Sequence, residues 1–370
     1  MKVVFDAYWW VSGPPSLRHV LREIVLSWSE LYPEDELTLV VRRSQLAEAA
    51  VDAPANSTLR GTALWPQAYA ASRAGAAAAR SVDADLVLTH NFAAPGRSSA
   101  RRTLSAIYLH DVLFATNPEW FTPIERLYFS RMLRWIRRAD LVFSSTVSEG
   151  RRIAENSNAR IVLPVGLGLS TELTTDGLPE DPDPLLTSRS FVLTVGRLNA
   201  RKNLGTVIDA ALASGRISRD RPLVVVGSAD GKRAALGSDA ERAIADGIVR
   251  FTGFTTEARL RWYYRNTSLF VFLSLGEGFG MPPVEAAYFS ATILVSDLPI
   301  FHETLGGHAN YVDPTDLPAA AAAIARGIDT GESREAPLRA RTSIATQHDW
   351  HETVRAMRSA VVDQLEGVRA

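Results

Sequence analysis

Short β-rich apolar runs alternate with longer stretches of helical period along almost the whole chain, and few folds accommodate that order. In the first half the runs centre on Val3–Phe5, Leu37–Val41, Asp85–Thr89, Leu104–Leu109, Leu141–Ser144 and Arg160–Leu163, with helical patterns such as Leu17–Leu31 and Ile124–Arg138 between them. In the second half they centre on Phe191–Val195, Leu223–Val226, Ile248–Thr252, Leu269–Leu273, Ile293–Val295 and Asn310–Val312. Strands that are apolar on both faces belong to parallel sheets covered by helices on both sides. A chain of 370 residues exceeds what one core usually holds. The turn-rich segment Gly166–Ser190, with Asp-Pro-Asp-Pro at 181–184, divides the two series. The expectation is an α/β protein of two doubly wound, Rossmann-like domains, 1–166 and 191–348, joined by a linker at 167–190. The Ala-rich stretch Ala68–Arg80 reads as a plain helix. Such sheets bind ligands at the carboxyl ends of their strands, and two of them facing each other enclose a cleft.

Composition removes several functions. A net charge of −1 gives no basic field for nucleic acid, and the absence of cysteine excludes a disulfide scaffold or a thiolate metal site. The opening Met1–Asp6 reads as a buried strand rather than a signal peptide, and no apolar run reaches the ~18 residues of a membrane span. The expected location is the cytoplasm, including the inner face of its membrane.

The strongest chemical signal is Glu277-Gly-Phe-Gly-Met-Pro-Pro-Val-Glu285, which follows an apolar strand. Pro282 and Pro283 suit the first turn of a helix, and the amides near Gly280 and Met281 then offer a phosphate seat. Glu277 on the loop and Glu285 in the helix would meet different parts of one ligand. A second loop, Gly196-Arg197-Leu-Asn-Ala-Arg201-Lys202-Asn203, places Arg197 and Lys202 five positions apart, within reach of one dianion. Lys202 is one of three lysines in an arginine-dominated chain, which favours a point-charge role. His110, in Ile107-Tyr-Leu-His-Asp111, leaves a first-half strand where a sugar hydroxyl or phosphate oxygen would lie. Near the start, Gly13 and Ser16 lie in a strand-to-helix loop where glycine lets the backbone approach a ligand closely, and Arg18 follows in the first turn of the helix. Asp83 and Asp85 form an Asp-x-Asp pattern, but it only precedes a strand, and no metal is expected there. The basic amphipathic helix 124–138 packs on its own sheet or rests on anionic lipid, with Tyr128 and Trp135 at the interface.

Together, the two glutamates, the Gly-Arg…Arg-Lys-Asn run and the His-Asp pair resemble glycosyltransferase family four, retaining enzymes of the GT-B fold. Supporting matches are Val249–Phe254, Asp297–Glu303, Val312–Asp316 and Trp350–Val354. The resemblance implies that the closing helix 349–370 crosses back onto the first domain. It also implies a nucleoside-diphosphate sugar as donor, no cofactor, and a glycan, lipid-linked or small-molecule acceptor. Arg197 and Lys202 would hold the diphosphate. Glu277 with Gly278, Phe279, Gly280 and Met281 would hold the sugar, and Glu285 the ribose. Backbone near Arg250 and Phe251 would meet the base, Gly196 would also belong to the donor site, and His110 would sit beside the reacting sugar. The Met-Pro-Pro loop is most similar to the mannosyl- and rhamnosyltransferase branch. Two departures stand out: Pro14 replaces the second glycine of the first loop, which with Gly13, Ser16 and Arg18 the resemblance places on the acceptor side, and Phe289–Ile293 replaces a small-residue turn. The rival readings are glycoside hydrolysis by paired carboxylates, a nucleotide-sugar epimerase, and a nucleotide-sugar-binding protein without catalysis.

Overall fold

The computed structural model describes residues 1–94, 103–186, 190–227, 236–330 and 337–369. It divides into two compact units, Met1–Ser170 with His348–Ala370, and Thr171–Gln347. Each unit is built on one parallel sheet, so the expectation of an α/β chain with two Rossmann-like sheets holds.

In the first unit the strands are β1 (Lys2–Asp6), β2 (Glu36–Arg42), β3 (Ser57–Thr62), β4 (Leu86–His90), β5 (Leu104–Tyr108), β6 (Leu141–Ser144) and β7 (Val162–Pro164). They lie in the order β3-β2-β1-β4-β5-β6-β7, so the winding reverses between β1 and β4. Val3, Val4 and Phe5 are wholly buried, as a central strand covered on both faces requires. The unforeseen strand is β3. Its one large apolar residue, Leu59, lies on an edge strand buried only at Thr62, so Ser57–Thr62 carries no apolar run to read.

The Ala-rich stretch is not one plain helix. A turn at Gln67–Tyr69 passes into a wider π turn at Ala70–Ala74 and then an α-helix at Gly75–Val82. Most of its alanines, including Ala70, Ala71, Ala78 and Ala79, are buried, and side chains this small allow such close backbone approach.

The last helix, Trp350–Arg369, belongs to the first unit and packs on the Pro15–Leu31 helix. Arg358 donates to both oxygens of the buried Asp35, at 3.0 and 3.2 Å, and its guanidinium lies 4.1 Å from the Tyr32 ring. The Trp350 indole donates to Leu169 O at 2.8 Å.

In the second unit the strands are β8 (Val192–Val195), β9 (Leu223–Val226), β10 (Val249–Gly253), β11 (Leu269–Phe272), β12 (Ile293–Ser296) and β13 (Asn310–Val312), in the order β10-β9-β8-β11-β12-β13. The reversal here falls between β8 and β11, where doubly wound sheets hold ligands. The segment expected as a linker is shared. Residues 167–170 count with the first unit and 171–186 with the second. In the second unit the Glu257–Asn266 helix ties the segment down. Arg259 pairs with Asp181 at 2.6 Å, and Tyr263 donates to Asp183 at 2.8 Å.

Candidate functional site

In the second unit, the loop after β8 and the loop after β11 leave the sheet side by side at its reversal point. After β8, Asn199 caps a short 3₁₀ turn at Ala200–Lys202 by accepting from the Lys202 N–H at 2.8 Å. Asn203 then takes a left-handed conformation, φ 52°, which Asn tolerates better than most residues, and the Leu204–Ala213 helix begins. This reversal gives the Arg-Lys-Asn run its shape. It turns Arg201 and Lys202 back toward the loop after β11.

There they meet Glu277. Its Oε1 accepts from Lys202 Nζ at 2.8 Å and from Ser274 Oγ at 2.6 Å, while Arg201 Nη1 bonds Oε2. Backbone links hold the loops together: Leu275 N–H donates to Arg201 O at 2.8 Å, and Arg201 Nη1 to Gly276 O at 2.9 Å. Burial pulls the Glu277 carboxyl upward, but Arg201 and Lys202 outweigh it and hold the group at about 2. Burial lowers the Lys202 ammonium, against the attraction of Glu277. The ammonium also lies 4.5 Å from the centre of the Phe272 ring. The site therefore presents two cations on one ionised carboxylate, a net positive charge.

Beyond Glu277 the chain runs to Gly280, which caps the Met281–Tyr288 helix at φ 91°. A Cβ here would stand 2.5 Å from the Phe301 ring, so both the conformation and the space require glycine. Pro282 and Pro283 carry no N–H, so the helix start offers an anion fewer donors than an ordinary first turn. Glu285, in the same helix, is half-buried and accepts from the Tyr264 hydroxyl at 2.8 Å. Burial raises its carboxyl to about 7, opposed by the Tyr264 bond and assisted by Glu257.

The other expected residues are placed differently. Arg197 is exposed and has no side-chain partner among the described residues, so it stands apart from the Arg201–Lys202–Glu277 cluster. Gly196 follows β8, its N–H donating to Val226 O at 2.9 Å. Arg250 and Phe251 lie within the edge strand β10, paired in register with Val224 and Val225. The exposed aromatic just past that strand is Phe254.

His110, Gly13, Ser16 and Arg18 belong to the first unit. His110 Nε2 lies 3.4 Å from Nδ1 of the buried His90, and the His110 N–H donates to Asn91 Oδ1 at 3.3 Å. Burial lowers both imidazoles, His90 to about 4, so both are neutral at pH 7. Gly13 and Ser16 are exposed, and Arg18 donates to Val11 O at 3.1 Å. A Cβ on Gly13 would meet the Trp9 ring, so the missing second glycine leaves one essential glycine in the loop. Asp85 accepts from the Lys2 N–H at 2.9 Å, at the opening end of β1 and away from the carboxyl edge of the sheet.

In the basic helix, here Pro123–Ile136, Tyr128 and Trp135 pack on Phe92 rather than facing outward. Its exposed apolar residues are Ile124 and Leu127. Among the described residues no helix is long and apolar enough to cross a membrane.

Arg201, Ser274 and Tyr264 were not singled out from the sequence. Arg201 stood inside the recognised motif, whereas Ser274 and Tyr264 carried no separate signal.

Comparison with known proteins follows this geometry. Residues 181–343 match the family model described as glycosyl transferases group 1. O-antigen chain mannosyltransferase B of Escherichia coli is 24% identical, with 65% of this chain and 65% of that protein covered. The chain thus spans just under two thirds of that relative, and about a quarter of the serotype-specific mannosyltransferases it also matches. Among solved structures, the sucrose-phosphate synthase of Thermosynechococcus elongatus superposes with a TM-score of 0.72 at 16% identity, covering 100% of both chains. HepE of Anabaena, solved with UDP and glucose, gives 0.67 at 16% identity, covering 98% of this chain and 100% of that one.

Proposed function

We propose, from the match of residues 181–343 to the glycosyl transferases group 1 model, that the protein moves a hexose, mannose or rhamnose, from a nucleoside-diphosphate sugar to a glycan or lipid-linked acceptor with retention of configuration. The observation that carries this reading is the pair of cations, Arg201 and Lys202, converging on the buried, ionised Glu277 at the reversal point of the sheet. A diphosphate entering there meets cations already in position, their desolvation offset by Glu277.

In the reaction the bond from the anomeric carbon to the diphosphate breaks, and the acceptor oxygen bonds that carbon on the same face. The acceptor proton passes to a diphosphate oxygen. Arg201 and Lys202 neutralise the departing charge, joined by the exposed guanidinium of Arg197. Glu285 accepts from the ribose hydroxyls, and Phe254 offers its ring to the base.

The split between Glu277 at about 2 and Glu285 at about 7 also matches an acid and nucleophile pair for glycoside hydrolysis. Against that reading, the bonds from Lys202, Ser274 and Arg201 tie up both oxygens of Glu277. Incubation with GDP-mannose or dTDP-rhamnose and a panel of glycan acceptors, with product anomers read by NMR, tests the proposal. An inverted product removes the mechanism, and sugar release from an oligosaccharide without nucleotide favours the hydrolase. Contact with a membrane rests on the outward Ile124 and Leu127 beside Arg126. Failure of the full chain to co-sediment with anionic vesicles would remove it.

A further inference from the structure

The first unit holds a cavity of about 400 Å³ that none of the residues discussed above occupies. It opens beyond the carboxyl ends of β2 and β3 and is lined by Tyr8, Arg42–Ser44 and Thr62–Trp65. Three features define what it would hold. First, Trp65 is 79% exposed and Leu64 38%, so an indole face stands in solvent at the rim of a concavity. A large, rigid aromatic surface left wet in this way suits a ligand with one apolar face.

Second, Arg42 is fixed. Its guanidinium lies 5.1 Å from the Tyr8 ring centre and 4.8 Å from that of Trp9, donates to Tyr8 O at 3.2 Å, and bonds Ser12. Those bonds occupy its donors but leave its charge in the wall. Neighbouring Arg43 is exposed, with no side-chain partner among the described residues, so its planar fork is unspent. Third, no carboxylate or carboxamide lines the cavity. Its side chains supply donors and positive charge, and so call for a ligand rich in acceptors.

We propose that this cavity binds an anionic sugar unit, a pyranose ring bearing a carboxylate or phosphate. The C–H face of the ring stacks on Trp65 and its charge meets Arg43, with Arg42 behind. The volume suits one or two sugar rings. Arg42 also bonds Ser12, the residue before Gly13, so the cavity wall continues into the loop expected on the acceptor side. The inference extends the reading of the first unit as the acceptor unit and assigns that acceptor a negative charge.

Saturation-transfer NMR on the full-length protein, without donor, tests it with three probes: glucuronic acid, glucose 6-phosphate and glucose. We expect transfer to the ring protons of at least one anionic sugar, at least fivefold stronger than to glucose. Transfer to one anionic probe alone identifies the source as carboxylate or phosphate, and transfer to both supports the shared chemistry. In Trp65→Ala the signal disappears. In Arg43→Ala, also an exposed position, the anionic preference falls at least fivefold while the thermal unfolding midpoint is kept. Equal transfer to glucose, no transfer to any probe, or an unchanged signal in Trp65→Ala overturns the proposal. Binding of nucleoside-diphosphate sugars, measured on the same variants, stays at its wild-type value, so failure here leaves the donor reading intact.

Discussion

The two glutamates of the loop and helix that follow β11 have opposite electrostatic surroundings, and each makes its own prediction. Glu277 is ionised because Arg201 and Lys202 outweigh its burial. Its contribution to stability is therefore present above the ordinary carboxylate range, 4.5, and lost as pH falls toward about 2. Glu285 is the reverse case. Its pKa rises to about 7 on folding, so its contribution is full below 4.5 and lost as pH climbs through about 7. Unfolding of wild type and Glu285→Gln across pH 5.5–8.5 should show a steeper decline in the former, because Asp6, raised to about 6, and Glu149, raised to about 8, titrate in both proteins. Donor binding should follow the opposite slope. Ribose hydroxyls donate to the ionised form, so binding near pH 6 releases a proton, and calorimetry in buffers of different ionisation enthalpy should detect it. No proton release would separate Glu285 from the ribose. Both glutamates could be read from the sequence as candidates, but their division into ionised and neutral could not. It depends on Arg201 and Lys202 beside Glu277 and on the burial of Glu285, both of which are set by folding.

At the scale of the element, the loop and helix from Glu277 to Tyr288 are held from the next helix along the chain. Phe301, in Pro299–Leu305, packs edge-on against Phe272 and fills the space a Cβ at Gly280 would need. Gly280→Ala adds that contact to an unfavourable φ of 91°. It should cost about 1–3 kcal/mol of stability and weaken donor binding. Phe301→Ala in the same background should recover part of the loss by removing the contact, and a strictly additive double mutant would show that the two do not communicate. The strands with continuous apolar runs were legible because burial on both faces leaves no polar alternation. The edge strand β3 was not, since an edge needs no such run. The π turn at Ala70–Ala74 was equally hidden, because alanine favours a helix without specifying its width.

For the whole molecule, the chain leaves its first unit at Ser170 and returns at His348, so the first unit's stability depends on its last helix. Asp35, with a fully buried side chain, relies on Arg358 from that helix as well as on the Trp28 indole at 3.0 Å. Arg358→Ala should cost about 3 kcal/mol, the lower end for breaking a buried pair, because the other partners remain. The loss should appear in unfolding of the first unit while donor affinity is unchanged. The donor cluster lies wholly within Thr171–Gln347, and that cluster is the account's central claim. Its most direct test is calorimetric titration of GDP-mannose and dTDP-rhamnose into the full chain and into Lys202→Ala. Loss of the ammonium contact should weaken the preferred donor by about 2 kcal/mol, roughly thirtyfold in Kd. Binding of neither nucleotide sugar by the wild type, or an unchanged Kd in Lys202→Ala, would contradict the account.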